Sequence, residues 1–149
     1  MIDASQYKNL VYKIIGASME VRNTLGHGLL ESIYQEALAI ELAHMSIPCA
    51  CEQELPVFYK GHVLDKTFRL DMLVANDIIV ELKSVAHLKA EHRHQLCNYL
   101  RLTHKPIGLL INFGRGALIG ERWVYDEETA ECFIVDKAMQ PIEESMDVF

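Results

Sequence analysis

Arg69-Leu70-Asp71-Met72-Leu73-Val74-Ala75-Asn76-Asp77-Ile78-Ile79-Val80-Glu81-Leu82-Lys83 is the stretch on which the fold turns. Val, Ile and Leu fill two arms, and Asn76-Asp77 between them is turn chemistry. The reading is a β-hairpin closed by a three-residue loop, Ala75 to Asp77, or by a bulge. Setting Val74 against Ile78, Met72 against Val80 and Leu70 against Leu82 gives one wholly apolar face. The other face then carries Leu73 with Ile79, Asp71 with Glu81 and Arg69 with Lys83. Slipping by one residue sets Met72 against Glu81 and Asp71 against Leu82 and scrambles both faces. A slip flips every side chain, so the hydrophobic pattern selects the first register.

That register makes Asp71 and Glu81 cross-strand neighbours, roughly 5 Å apart at Cβ, where like charges are destabilising. Lys83 follows on the same face, about 6.6 Å along the strand. Two carboxylates and an ammonium on a strand built for burial require compensation. A divalent cation supplies it: hard carboxylate oxygens suit Mg²⁺ or Mn²⁺, with waters and a substrate phosphate completing the shell. The alternative is an internal salt-bridge cluster in which Lys83 alone offsets the acids.

The 149 residues suffice for one domain with one sizeable core. Half of them are hydrophobic and 23% charged, as in soluble globular proteins. A net charge of −7 argues against a broad basic surface for nucleic acid. It leaves room for a small basic groove beside an acidic metal site. Cys49, Cys51, Cys97 and Cys132 form no C-x-x-C motif and read as reduced core thiols of a cytoplasmic protein. Met1 to Ser5 lacks a basic region followed by an apolar one, so no signal peptide is expected. The longest apolar stretch falls far short of a membrane span.

Along the chain, residues 5–25 carry helical apolar spacing, with Asp3 or Ser5 as cap. Leu25-Gly26-His27-Gly28 breaks that helix, and a second runs from about Leu30 to Met45. A strand follows from about Ala50 to Lys60, and Pro56 makes it an edge or bulged strand. After the hairpin, a helix spans about Leu88 to Thr103. Ile107 to Phe113 is continuously apolar, as in a strand buried on both faces. Residues 117–125 and 131–136 read as further strands, and the acidic tail from Pro141 as loose. The expected architecture is a single α/β domain: a mixed sheet flanked by helices in the order α-α-β-β-β-α-β, with added C-terminal strands. The helix between the hairpin and Ile107 is a crossover that makes the last core strand parallel to its partner.

This order, with Asp71 on one strand and Glu81-Leu82-Lys83 on the next, resembles the PD-(D/E)XK nuclease superfamily. Leu70 stands where the name motif has proline. Within the superfamily the chain is similar to the GxxExxY proteins, whose signature matches Gly28-Leu29-Leu30-Glu31-Ser32-Ile33-Tyr34. Further matches are Val57-Phe58-Tyr59-Lys60-Gly61, Arg69-Leu70-Asp71, Val80 to Val85, Gln95 to Leu100 and Gly108 to Gly114. Together they cover roughly residues 10–125.

The resemblance implies a restriction-endonuclease-like fold and metal-dependent hydrolysis of phosphodiester bonds. It makes Asp71 and Glu81 ligands of Mg²⁺ or Mn²⁺, with the Leu82 carbonyl as a third. Lys83 would orient or help deprotonate the attacking water and stabilise transition-state charge. Glu31 would add a carboxylate from the second helix; the bland reading is compensation of the helix dipole, worth about 0.3–1 kcal/mol. Gly28 permits close backbone approach, and Tyr34 packs to steady Glu31. Gln95 and Tyr99 look like the Q-x-x-x-Y element of the RecB-like branch and would contact substrate, against the alternative of an ordinary helix face. Lys89, Arg93 and Arg101 would meet phosphates. His87, His92 and His94 lack zinc spacing. The implied partner is nucleic acid, DNA before RNA, with a homodimer as candidate assembly. The competing expectation is a module that keeps the fold and binds nucleic acid or protein without catalysis.

Overall fold

The computed structural model describes residues 4–142. Its hairpin comprises β2 (His62–Val74) and β3 (Ile78–Lys83), with Val74 facing Ile78, Leu73 facing Ile79 and Met72 facing Val80. Ala75 to Asp77 form the turn. Ala75 and Asn76 take φ of 50° and 60°, and the Asp77 N–H donates to the Val74 carbonyl at 3.1 Å. The selected register and the three-residue loop are therefore both present.

Around the hairpin stand β1 (Cys49–Tyr59), β4 (Ile107–Asn112), β5 (Ile119–Asp126) and β6 (Glu131–Val135). They form one six-stranded sheet in the order β1-β2-β3-β4-β5-β6. Every neighbouring pair is antiparallel except β3 with β4. That pair is joined through α3 (Ala90–Thr103), as a parallel connection requires. β1 is an edge strand, and its register shifts between Pro56 and Phe58, because proline cannot donate to a ladder.

Both faces of the sheet are covered. Helices α1 (Lys8–Leu25) and α2 (Glu31–His44) bury Val11, Ile14, Val21, Leu38 and Leu42 against Met72, Val80, Leu82, Leu109 and Ile111. On the other face Leu96, Cys97 and Leu100 of α3 pack on Leu73, Ile79, Leu110 and Trp123. This explains why β3 and β4 read as unbroken apolar runs: both sides of each strand are interior.

Four expectations are corrected. Leu70 does not share a face with Leu82; it packs with Leu73 and Ile79 beneath α3, while Leu82 packs with Met72 and Val80. Strict alternation fails at Asp71, opposite Glu52, which lies between Cys51 and Gln53 of β1. Glu52 has φ of 51°, and a left-handed residue inside a strand kinks it and disturbs the alternation of side chains. Nor does Arg69 pair with Lys83: its Nε donates to Glu52 at 2.9 Å. The N-cap of α1 is Tyr7, not Asp3 or Ser5, and its side chain makes no cap hydrogen bond; a 3-10 turn, Ala4–Tyr7, leads into the helix, and Asp3 lies outside the described residues. Finally, Cys97 and Cys132 form a disulfide that ties α3 to β6, and only Cys49 and Cys51 are free thiols. A helix and a strand 35 residues apart in the chain bring their sulfurs together, which spacing could not show. Of the tail, Pro141 bridges to Val135 and the Ile142 N–H donates to Ile134; residues 143–149 lie outside the described residues.

Candidate functional site

Beyond Met72 and Val80 the ladder between β2 and β3 ends, and side chains take its place. Glu81 Oε1 accepts from the Asp71 N–H at 3.2 Å. Asp71 Oδ2 accepts from the Leu82 N–H at 2.8 Å. Each carboxylate thus satisfies a backbone donor of the opposite strand at the fork where the strands part. Glu81 is 4% exposed, and Asp71 and Lys83 are half-buried. Burial, then the charge of Asp71 and the hydrogen bond between the two acids, pushes the Glu81 carboxyl up to about 9, while the Asp71 N–H and the Lys83 ammonium pull the other way. Removal of two acids from water with one ammonium nearby leaves negative charge short of compensation. The donor set, paired hard oxygens, suits a magnesium-like cation.

The strand end that carries Lys83 is held by its parallel neighbour. Lys83 lies beside Asn112, whose side chain is buried. Asn112 Nδ2 donates to the Val85 carbonyl at 2.9 Å, and its Oδ1 accepts from the N–H groups of Val85 and Gly114. A Cβ at Gly114 would sit 1.8 Å from the Val85 oxygen, so only glycine allows the loops after β3 and β4 to meet. Asn112 and Gly114 were visible as matched sequence, but no spacing rule gave them this clamping role.

The segment Gly28 to Tyr34 brings α2 to the same end of the sheet. Tyr34 is wholly buried and stacks on Phe113 with ring centroids 4.2 Å apart. Its hydroxyl donates to the Gly26 carbonyl at 2.7 Å and accepts from the Leu29 N–H at 3.0 Å. The Gly28 N–H, with φ of 80° at that residue, donates to the Phe113 carbonyl at 3.1 Å. The tyrosine therefore packs in the core and pins the loop that precedes α2. Glu31, the first residue of that helix, is exposed and shares a cavity of about 690 Å³ with Ser84, the neighbour of Lys83.

From the other face α3 presents Tyr99, half-buried. Burial and the charges of Glu81 and Asp71 raise its hydroxyl, while a hydrogen bond with Gln95 lowers it. Gln95 and Tyr99 are therefore linked, and the tyrosine lies within the electrostatic reach of the two acids. Arg93 is placed differently. Its guanidinium makes a two-pronged ion pair with Glu121, at 2.7 and 2.9 Å, and Glu121 also accepts from Trp123 Nε1. Arg93 anchors α3 to β5, so its charge is spent inside the protein. Lys89 is exposed at the start of α3, where its N–H donates to His92 Nδ1 at 3.0 Å.

A sequence model of the PD-(D/E)XK nuclease superfamily matches residues 8–122. The chain belongs to that superfamily. A crystal structure of SSO0001 shares the fold of this superfamily member, with a TM-score of 0.50 and 18% identity over 84% of this chain and 64% of that one. This chain thus spans less than two thirds of SSO0001, and the likeness concerns the fold alone. No curated protein matches the chain in sequence. In this chain Asp71 and Glu81 meet at the acidic fork, and Lys83 follows two residues along β3. Glu31 stands at the adjoining end, but among the described residues no group of three or more His, Cys, Asp or Glu side chains is gathered closely enough to hold a metal ion unaided. Among the described residues no helix is long and apolar enough to cross a membrane.

Proposed function

We propose that this protein is a metal-dependent nuclease that hydrolyses phosphodiester bonds in DNA or RNA, DNA before RNA, and that it is a GxxExxY member of its superfamily. The observation that carries this reading is the buried contact between Asp71 and Glu81 with Lys83 two residues further along β3. Asp71 and Glu81 would hold Mg²⁺ or Mn²⁺, and Glu31 is the further carboxylate that α2 delivers to the adjoining end. The ion would activate water and neutralise charge at the leaving oxygen. Lys83 orients the nucleophile and donates to the phosphoryl oxygens. Tyr99 and Gln95 contact the substrate and restrict its approach to the acids. Lys89, exposed at the start of α3, meets a phosphate. The proposed setting is the cytoplasm, in which the Cys97–Cys132 disulfide would be an exception to the usual reduced state, and a homodimer would let two such sites meet two strands.

A second reading, a binding module without turnover, is favoured by one observation: Glu31 forms no ready three-ligand group with Asp71 and Glu81. Incubation of the protein with circular and linear DNA and RNA, in Mn²⁺ or EDTA, separates the two. Metal-dependent cleavage that disappears in Lys83→Ala supports the nuclease; retardation on a gel with no cleavage supports the module. The ion site is read independently by thermal denaturation. Mn²⁺ at a hundredfold excess over its Kd should stabilise the wild type by about 2.7 kcal/mol and leave Asp71→Ala unmoved. An equal rise in both removes the site.

A further inference from the structure

The flank of α3 continues away from the acidic fork as a groove, and its lining differs in charge from the rest of the molecule. One hollow holds Gln95, Tyr99, Phe68, Arg101 and Leu102, with Glu91 as the one carboxylate in its lining. The next, a cavity of about 630 Å³, shares Phe68, Arg101 and Leu102 with the first and runs on to Pro56, Phe58 and Lys105. The two hollows therefore adjoin along α3, from Tyr99 at one end to the edge strand β1 at the other. Phe68 and Tyr99 meet edge to face, ring centroids 5.3 Å apart, at the junction.

The larger hollow is lined by Arg101, His104 and Lys105 and by no carboxylate, in a chain of net charge −7. His104 is paired with Glu127, so Arg101 and Lys105 carry the cationic character. The apolar part is equally unusual. Phe58 is 61% exposed on β1, a strand whose outer edge has no partner among the described residues, and Leu102 of α3 is 42% exposed. Aromatic faces beside cations, strung along a groove that leads to a phosphodiester-hydrolysing site, match a chain whose bases are unpaired and whose backbone is anionic. A duplex hides its base faces and offers such a groove only phosphates.

The geometry points to this groove as a track for single-stranded nucleic acid, with bases against Phe58 and Phe68, phosphates at Arg101 and Lys105, and the strand delivered past Tyr99 to the acidic fork. This rests on the nuclease reading for the end of the track, and its test is kept separate from cleavage. Fluorescein-labelled 15-nucleotide single strands of DNA and RNA, and the corresponding DNA duplex, are titrated with protein in EDTA and followed by anisotropy. The single strands should bind more tightly than the duplex. Phe58→Ala should weaken single-strand binding about tenfold, within the range of one lost base stack. Arg101→Ala with Lys105→Ala should reduce the slope of log affinity against log salt by about 1.4, the single-strand value for two phosphate contacts.

Phe58 is exposed, so its loss does not threaten the fold, and circular dichroism of each variant confirms this. Equal binding of duplex and single strand overturns the proposal, as does wild-type affinity in both groove variants. A change in sedimentation of Phe58→Ala with no loss of oligonucleotide binding also overturns it and makes the groove a contact between copies of the chain. Cleavage in Mn²⁺ with unaffected groove variants would remove the track and leave the nuclease. Binding lost in the variants without cleavage by wild type would keep the track and remove the nuclease.

Discussion

The two halves of one hairpin follow different rules. Near the turn, Met72 to Val74 and Ile78 to Val80 pair residue by residue and are buried on both faces. Three residues further, the same strands part, and Asp71 and Glu81 fill the gap with side-chain bonds to backbone. The closed half gains stability by removing apolar surface from water. The open half holds charge where charge is costly. Residues held at such a cost are expected where chemistry is done, and perturbed acids cluster at such sites. On the proposed nuclease reading, stability and function are divided within one hairpin.

The sharpest way to break this comparison is in the open half. Asp71→Asn keeps an oxygen to accept the Leu82 N–H but loses the charge. We expect metal-dependent cleavage to fall about a thousandfold, in the middle of the usual span for loss of a catalytic group, with a circular dichroism spectrum like that of wild type. Undiminished cleavage would end the functional half of the contrast. In the closed half, Ile79→Ala removes a wholly buried side chain. It should cost about 3 kcal/mol in urea unfolding through lost burial and the cavity left behind, without abolishing cleavage by the protein that remains folded.

Glu81→Gln sharpens the contrast by its sign. Glu81 has a folded value of about 9, above its ordinary 4.5, so the folded state holds a proton that the unfolded state releases. Stability from this group is intact below about pH 4.5 and is lost as pH rises toward 9. In EDTA the substitution should therefore stabilise the protein at pH 7, on the order of 2 kcal/mol, and the gain should vanish near pH 4.5. A pH-independent effect, or destabilisation at pH 7, would show that Glu81 contributes to the fold as the closed half does. The smallest effect belongs to the loop before α2. Tyr34→Phe removes bonds to Gly26 and Leu29 and should cost about 1 kcal/mol, measured by thermal unfolding, with the Phe113 stack retained.

Much of this was legible in the sequence. Runs of Val, Ile and Leu ended by Asn76-Asp77, Gly61 and Pro106 marked the strands to within a residue or two, because turn residues and side-chain period act locally. The parallel crossover through α3 followed from the short turn on one side of β3 and the long connection on the other. Arg93 shows where such reasoning stops. On its helix it looks like a phosphate ligand; in the fold Glu121 of β5 has taken it. Leu70 is a second case, displaced from its expected face by a backbone conformation at Glu52 on another strand.

Periodicity and turn chemistry by themselves determined the elements, the hairpin register near the turn and the approach of Asp71 to Glu81, since each depends on residues near in the chain. Only the tertiary structure decided that the ladder would open at that point. It also decided that Asn112 and Gly114 would clamp the strand end, that Cys97 would meet Cys132, and that a cationic, aromatic groove would lead from Tyr99 to Phe58. Those are contacts between elements distant in sequence, and their energies depend on which surfaces the packing of helices on a twisted sheet brings face to face.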